Sequence, residues 1–139
     1  MAVAASYQNA ARYRQAQVET ASPAQLLVML YDGAIRFLTI AREKMASGEL
    51  EARHTNLIKA QKIIAELLCS LNLREGGEVA VNLQRVYTWM LQQLVDANMN
   101  DRRKPIDDVV GMLKELRESW AAVALEDLSS TKEASHANN

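Results

Sequence analysis

The chain is poor in the residues that interrupt helices, since its 139 residues include only 5 glycines and 2 prolines. It has 1 cysteine, which excludes an internal disulfide. Its formal net charge of −1 gives no broad attraction to nucleic acid or to an anionic membrane surface. No uninterrupted apolar run approaches the ~20 residues of a membrane span, and the N-terminus lacks the basic-then-apolar order of a signal peptide. We therefore predict a cytoplasmic protein with no nucleic-acid partner and no membrane insertion.

Four segments have apolar residues at every third or fourth position, and no segment shows the alternation of a β-strand. The predicted helices span about 23–45, 49–73, 78–98 and 105 onward. Each apolar stripe is too wide to face water, which predicts an all-α fold, an antiparallel up-and-down four-helix bundle. Polar and small residues dominate both ends. The predicted domain division is a flexible N-terminal arm at 1–21, the bundle at 22–125 and a disordered tail at 126–139.

The stripes identify the expected core. They comprise Leu26, Leu30, Ala34, Phe37, Ala41 and Met45, widened by Leu27, Tyr31 and Leu38, then Leu57, Ala60, Ile64, Leu67 and Leu71, then Val79, Leu83, Val86, Tyr87, Met90 and Leu94, and finally Ile106, Val109, Val110, Leu113, Leu116, Trp120 and Val123. Cys69 lies among leucines, so we expect it to be a small buried side chain.

A sharply defined helix start lies at Ser22-Pro23-Ala24-Gln25. Serine is a preferred N-cap, proline fits the first helical position, and a glutamine three residues after the cap completes a capping box. We therefore expect the first helix to begin at Pro23. Within that helix, Gly33 costs about 1 kcal/mol relative to alanine. We interpret it as a place where another backbone comes close, the alternative being a tolerated surface glycine.

Candidate catalytic and metal-binding residues are few. Glu51 and His54 have the Glu-x-x-His spacing of di-iron bundles, but those bundles need the motif on two helices plus two more glutamates. The sequence has no second such motif, and its other histidine, His136, lies near the end of the chain. It also has no Gly-rich phosphate loop, Ser-His-Asp set or Cys-His pair. We therefore predict no catalytic residue, no metal site and no cofactor, so that the protein is not an enzyme.

His54 leaves an alternative function open. An exposed histidine on a four-helix bundle is typical of phosphotransfer domains, since neutral imidazole can accept a phosphoryl group. Such domains usually follow the histidine with a close leucine, a lysine and a small residue, whereas here Leu57, Ile58 and Lys59 come late. The histidine phosphotransfer domain is kept as the alternative, and a metalloenzyme is a third class.

Some apolar residues lie outside the stripes that the core needs. Trp89 lies about 120° from the centre of the third stripe, among polar residues. On the second helix, a shoulder beside the main stripe is suited to receive a helix or an extended peptide. Its candidate partner-binding residues are Ile58, Gln61, Ala65 and Leu68. Alternatively, a neighbouring helix covers this shoulder, because single exposed apolar residues are common.

Ahead of the first helix, Tyr7, Tyr13 and Val18 are spaced through polar and small residues. They are too sparse for a core element but sufficient to anchor an arm on a groove. We predict that residues 1–21 form a displaceable lid. The alternative is a frayed chain end with incidental tyrosines.

One long motif spans the start of the first helix, with Thr20-Ala21-Ser22-Pro23 followed by Met29-Leu30-Tyr31-Asp32-Gly33-Ala34-Ile35-Arg36. Further characteristic stretches are Tyr13-Arg14-Gln15 with Val18, Leu57 to Leu67, Tyr87 with Leu94 to Asn98, and Leu116 to Trp120. Together they extend over roughly 13–124 and resemble the FliS family of flagellin export chaperones. The chain has Ala16-Gln17 where that family often has Asn-Ser.

The resemblance implies a cytoplasmic chaperone that binds the disordered C-terminal segment of new flagellin and prevents its premature polymerisation. It also implies delivery to the export gate of the flagellar type III secretion system. The family's tyrosine arm and apolar client surface map here onto Tyr7, Tyr13, Ile58, Gln61, Leu68 and Trp89. Because no nucleotide site is apparent, we expect release by competition at the gate. The free protein is a monomer or a homodimer, and the sequence leaves both open.

Overall fold

The structure is a computed structural model that describes Arg12 and residues 21–137, with side chains up to residue 130. It contains four long helices: α1 (Pro23–Ala46), α2 (Leu50–Cys69), α3 (Leu73–Asn100) and α4 (Lys104–Ala137). The described residues include no β-strand. The predicted all-α fold of four helices is therefore confirmed. Tyr7, Tyr13 and Val18, which the sequence predicts as an arm, lie outside the described residues.

The start of α1 follows the predicted capping box. The backbone N–H of Ser22 donates to Oε1 of Gln25 at 2.8 Å, and the backbone N–H of Gln25 donates to Oγ of Ser22 at 3.2 Å. Pro23 is the first helical residue, where its missing N–H costs nothing. The start of a helix leaves backbone N–H groups without a partner. Those of Ser22 and Gln25 are hydrogen-bonded here by each other's side chains.

The connection between α2 and α3 differs from the prediction. We expected the second helix to continue to about residue 73, before Gly76-Gly77, but α2 ends at Cys69. Asn72 then caps a new helix, since its side chain accepts a hydrogen bond from the backbone N–H of Glu75 at 3.1 Å. The glycine pair bends this helix one turn later, where Gly77 has φ 55° and ψ −136°. A side chain would strain that backbone conformation.

The described residues form two compact units. One comprises Leu30–Arg117 and contains parts of all four helices. The other combines the described residues up to Met29 with those from Glu118 on, and Ala24 and Ala124 are buried there. The buried apolar side chains of the first unit are Tyr31, Ala34, Leu38, Ala41, Met45, Leu57, Ala60, Ile64, Leu67, Ala80, Tyr87, Met90, Leu94, Ala97, Ile106, Val109 and Leu113.

Ion pairs show the direction of α1 against α4 within the unit Leu30–Arg117. Nε of Arg42 lies 2.5 Å from Oδ1 of Asp107, and Nε of Arg117 lies 2.6 Å from Oδ1 of Asp32. The lower-numbered residue of α1 pairs with the higher-numbered residue of α4, so the two helices run antiparallel. The up-and-down bundle predicted from the sequence is confirmed by this packing.

Three expected core residues are exposed, and the prediction was wrong for them. Cys69 is exposed, because it lies about 200° around α2 from the buried Leu67 and is the last residue of that helix. Val79, two residues after the bend at Gly77, is 66% exposed, and the next residue, Ala80, is buried instead. Val123 is 38% exposed, and Ala124 takes the buried position instead.

The buried face of α1 is also rotated from the expected one. Tyr31 and Leu38, which we placed beside the main row, are fully buried. Leu26, Leu30 and Phe37, which we placed at its centre, are only half-buried.

Gly33 is a site of close approach, although the neighbour is a side chain rather than a backbone. A Cβ atom at Gly33 would lie 3.3 Å from Cδ1 of Ile63 on α2. That distance is shorter than an ordinary van der Waals contact. The absence of a side chain therefore lets α2 pack closely on α1.

Helix α1 is long enough and apolar enough to cross a membrane, judged by length and composition alone. The sequence did not predict this, because Asp32 and Arg36 interrupt its apolar run. The apolar composition has a structural use in the unit Leu30–Arg117, where Tyr31, Ala34 and Leu38 are 0% exposed. Core helices of soluble proteins commonly pass such a test.

The end of α4 extends beyond the predicted rigid body. We expected a disordered tail from residue 126, whereas helical backbone continues to Ala137. Leu125 and Leu128 continue the helical spacing of apolar residues for one turn past the predicted boundary at 125.

Candidate functional site

The predicted shoulder of α2 is a half-buried strip. Its four residues, Ile58, Gln61, Ala65 and Leu68, are neither closed to solvent nor fully exposed. They lie within about 80° of one another around the helix. Ile63, which contacts α1 at Gly33, lies about 140° away from Leu68. The shoulder therefore lies on the side of α2 that is turned away from α1.

Helix α3 lies beside this shoulder. Nδ2 of Asn98 is 2.8 Å from Nδ1 of His54, and Nη2 of Arg53 donates to the backbone carbonyl of Asn98 at 3.2 Å. The side of α3 that carries Asn98 therefore faces α2. Leu91 and Val95 lie within about 60° of Asn98 around α3.

Leu91 is half-buried and Val95 is 47% exposed. With the four shoulder residues they form the α2/α3 strip: Ile58, Gln61, Ala65, Leu68, Leu91 and Val95. The sequence analysis missed Leu91 and Val95. Their position outside the third apolar stripe could have identified Leu91 and Val95 as surface candidates. Only the contacts of Asn98 show that they lie on the side of α3 that faces α2.

Trp89 is on another face. It is half-buried, as expected for an aromatic residue outside the main stripe. It is nine residues from Asn98, which places it about 180° around α3 from the side that contacts α2. The structure therefore separates Trp89 from the α2/α3 strip, although the sequence analysis grouped them as one client surface.

A second apolar groove lies in the unit that contains the start of α1 and the end of α4. It has a volume of about 400 Å³. Its lining is Gln25, Val28, Met29, Ala121, Ala124, Leu125 and Leu128. We call it the α1/α4 groove. The sequence analysis missed it because the predicted tail boundary cut through its α4 side.

The Glu-x-x-His motif is not part of a metal-binding cluster within the described residues. No group of three or more His, Cys, Asp or Glu side chains there is arranged to hold a metal ion. Glu51 lines an open hollow of about 530 Å³ at the start of α2, and His54 is not among its lining residues. His54 is exposed, and its Nδ1 is held by Asn98.

A buried tyrosine pair joins α1 to α3 within the unit Leu30–Arg117. The hydroxyl of Tyr31 is hydrogen-bonded to the hydroxyl of Tyr87, and the two residues are 0% and 1% exposed. Burial, and then the hydrogen bond to Tyr31, raises the pKa of Tyr87 well above its usual value. The Tyr87 hydroxyl therefore stays neutral, and the pair is a structural contact between α3 and the motif that starts at Thr20.

The comparisons with known proteins decide the family. A family model described as flagellar protein FliS matches residues 5–127 of the chain. The chain belongs to the FliS family. Both the α2/α3 strip and Trp89 lie inside the matched range. The α1/α4 groove does as well, apart from Leu128.

Individual FliS relatives match most of the chain. The flagellar secretion chaperone FliS of Salmonella typhimurium is 37% identical over 117 residues, which are 81% of this chain and 87% of the relative. The flagellar secretion chaperone FliS of Bacillus subtilis is 34% identical over 108 residues, covering 78% and 80%. The phosphotransfer alternative finds no support in these FliS matches.

A solved structure supports the fold. A flagellar chaperone from bacteria aligns with a TM-score of 0.70 at 24% identity, covering 88% of this chain and 98% of the other. The helical fold is thus shared even where most side chains differ.

Proposed function

We propose that this FliS-family protein is a flagellar secretion chaperone whose client is the C-terminal segment of flagellin. It binds the segment in the cytoplasm, keeps it from polymerising too early and delivers it to the export gate of the flagellar type III system. The observation that carries this proposal is the α2/α3 strip on a packed bundle of the FliS family. Relatives that carry the name flagellar secretion chaperone support it.

The strip suits a client that is disordered before it binds. Its apolar members Ile58 and Leu68 are ten positions apart on α2, a separation of about 15 Å along the helix axis. A client helix or extended segment laid along this strip would cover both side chains at once. Coupled folding of such a segment typically buries ~1,000–3,000 Å² and uses ~2–5 kcal/mol or more for ordering it. The covered segment is then unavailable for polymerisation.

Trp89 provides a second contact point on another face of α3. A client that reaches both the α2/α3 strip and Trp89 has to cross from one side of α3 to the other. A disordered chain can wrap in this way, whereas a folded domain of fixed shape cannot. The separation of the two contact points therefore favours a flexible client segment.

The arm provides a third contact. We propose that Tyr7, Tyr13 and Val18 anchor a displaceable lid, and that the lid covers the α1/α4 groove when no client is bound. The arm joins the folded part of the chain at Ser22, whose capping partner Gln25 lines this groove. Tyrosine rings suit an apolar groove that has one polar rim residue.

Release follows from competition rather than from nucleotide hydrolysis. An export-gate component that binds the arm or the strip more favourably than the client does would shift the equilibrium toward free client. Self-association of the client-free protein would also cover the strip, so we propose a homodimer as a competing state. Client binding then lowers the dimer fraction.

Calorimetry with a peptide from the flagellin C-terminus tests the client site. Ile58→Asp and Leu68→Asp each place a charge in the strip, and we expect at least a tenfold loss of affinity because an unpaired charge would be desolvated. Gly111→Asp is the matched control, because a Cβ at this α4 position meets nothing within 4 Å. Circular dichroism verifies the fold of each variant. Unchanged affinity in folded Ile58→Asp and Leu68→Asp would refute the strip assignment.

Failure to retain full-length flagellin in a pull-down would refute the chaperone proposal itself. This failure is distinguishable from failure of the strip assignment. A protein that binds flagellin through another face would still retain flagellin in the pull-down, while Ile58→Asp and Leu68→Asp would leave peptide affinity unchanged.

The lid is tested separately by deleting residues 1–19. We expect this deletion to change both client affinity and the protease sensitivity of the bundle.

A further inference from the structure

The side of the bundle formed by α1 and α2 carries an aromatic ring with two cations close to it. Cζ of Arg36 lies 5.2 Å from the centroid of the Phe37 ring, and Nζ of Lys59 lies 5.4 Å from the same centroid. Arg36 and Phe37 belong to α1, whereas Lys59 belongs to α2. Phe37 is half-buried, and both cations are exposed. The close packing of the two helices at Gly33 accounts for a contact that spans them.

Two other cations of α1 and α4 in the unit Leu30–Arg117 are neutralised across the helices, whereas Arg36 and Lys59 are not. Arg42 and Arg117 each bind an aspartate between α1 and α4. Among the described residues, no ion pair involves Arg36, Lys59 or Lys62. Lys62 lies about 60° around α2 from Lys59 and is also exposed. Three cations thus share this side of the bundle.

Among the described residues, the carboxylates on this side of the bundle form no ion pair with the cations near the Phe37 ring. Glu66 is four residues beyond Lys62 and Glu43 is seven beyond Arg36, so each lies on the same side of its helix as that cation. Neither forms an ion pair within the described residues. Asp32 is one turn before Arg36, but it is bound by Arg117. Two like charges held at one ring repel each other, and an anion bound between them would relieve that repulsion.

We propose that the cationic face, defined as Arg36, Phe37, Lys59 and Lys62, docks an acidic segment of a second protein partner. The guanidinium of Arg36 offers paired donors that match a carboxylate. The Phe37 ring offers apolar area for a neighbouring side chain of the segment. The α1 side of this face lies away from the α2/α3 strip, because Lys59 is about 180° around α2 from Leu68, whereas Lys62 is one turn beyond Ile58 and borders the strip. The function proposed for Arg36 and Lys59 is therefore separate from client binding.

An acidic peptide fits better than a membrane or a nucleic acid. Headgroup recognition by basic clusters typically uses 4–8 Lys or Arg residues, and this face has three. Nucleic-acid affinity rests on many phosphate contacts, whereas the whole chain has a formal net charge of −1. Three cations around one ring match a short segment with two or three carboxylates and an apolar residue.

Fluorescence anisotropy at low ionic strength tests this proposal with a short fluorescein-labelled peptide of glutamates around a central leucine. We expect binding that weakens as salt is added, because screening acts over about 10 Å at 0.1 M. The double variant Arg36→Glu with Lys59→Glu should lose at least tenfold in affinity, since it removes two charge-assisted hydrogen bonds. Lys114→Glu is the control, because it reverses an exposed cation on α4 that has no ion pair in the described part of the chain.

Several outcomes would overturn the proposal: no binding of the peptide at low salt, equal binding by the double variant, or an equal loss in Lys114→Glu. Tighter binding to phosphatidylserine vesicles or to single-stranded DNA through the same residues would also overturn it. Phe37→Leu provides a further measurement, and we expect weaker peptide binding because the ring is lost while both cations remain. Flagellin-peptide affinity should be unchanged in the double variant, which separates this face from the client site.

Discussion

The hydroxyl of Tyr31 on α1 is hydrogen-bonded to the hydroxyl of Tyr87 on α3 in the interior of the bundle. The two residues are far apart in sequence, and both are closed to solvent. A hydroxyl pair of this kind satisfies two polar groups that would otherwise be costly to bury. It therefore favours one alignment of α1 against α3, because a shift along either helix would separate the hydroxyls.

Replacing Tyr31 by phenylalanine should destabilise the fold by about 1–3 kcal/mol, because the buried Tyr87 hydroxyl loses its partner. The double variant Tyr31→Phe with Tyr87→Phe should recover part of that loss, since it buries no orphaned hydroxyl. Urea unfolding followed by circular dichroism gives both values. Additive effects of the two substitutions would contradict the coupling.

Stability should fall as the pH rises above about 10, the ordinary pKa of tyrosine. Burial and the hydrogen bond to Tyr31 raise the pKa of Tyr87 in the folded state, so the unfolded chain ionises first. The contribution of Tyr87 is complete below pH 10 and is lost above it, at up to about 1.4 kcal/mol per pH unit. Urea midpoints between pH 8 and pH 11 measure it. The decline should be shallower in Tyr87→Phe, and an identical decline would contradict this assignment.

Two helical glycines should respond differently to alanine. Gly111→Ala should stabilise the protein by about 0.5–1 kcal/mol, because alanine is the better helix former and its Cβ would meet nothing within 4 Å. Gly33→Ala should gain less or lose stability, since its Cβ would lie 3.3 Å from Cδ1 of Ile63. Thermal unfolding compares them directly. Combining Gly33→Ala with Ile63→Val should restore the gain by removing the crowded methyl group.

Arg53 should contribute more to the free energy of unfolding than Arg42 does, although both form ion pairs. The side chain of Arg53 is 12% exposed and binds both Asp101 and the carbonyl of Asn98, whereas the side chain of Arg42 is 49% exposed. We expect Arg53→Ala to cost about 1–3 kcal/mol and Arg42→Ala less than about 1 kcal/mol. Urea unfolding in low and high salt checks the order. Equal costs would mean that burial of the Arg53 pair adds nothing.

Local features were predictable from the sequence because they depend on neighbouring residues. The Ser22–Gln25 capping box needs only four consecutive positions, and the structure contains both of its hydrogen bonds. Periodicity likewise predicted the number and order of the helices. Cys69 shows the limit of that approach, because the leucines around it point to a core position while the angle around α2 places it outside.

The candidate site was predictable residue by residue but not as a surface. Ile58, Leu68 and Trp89 were each identified as outside their stripes, and each is half-buried. Their assignment to different faces depends on which side of α3 meets α2, and only the Asn98 contacts reveal that. The α1/α4 groove depends on residues from opposite ends of the chain. No pattern within one segment could pair them.

The two ion pairs between α1 and α4 contribute little to stability at these exposures, but they distinguish orientations. Along α1 an anion at Asp32 is followed by a cation at Arg42, and along α4 an anion at Asp107 is followed by a cation at Arg117. The two intervals are equal in sequence, so antiparallel helices bring opposite charges together. Parallel helices would bring Asp32 to Asp107 and Arg42 to Arg117. The charge order therefore favours the antiparallel arrangement of α1 and α4 over the parallel one, in which like charges would meet.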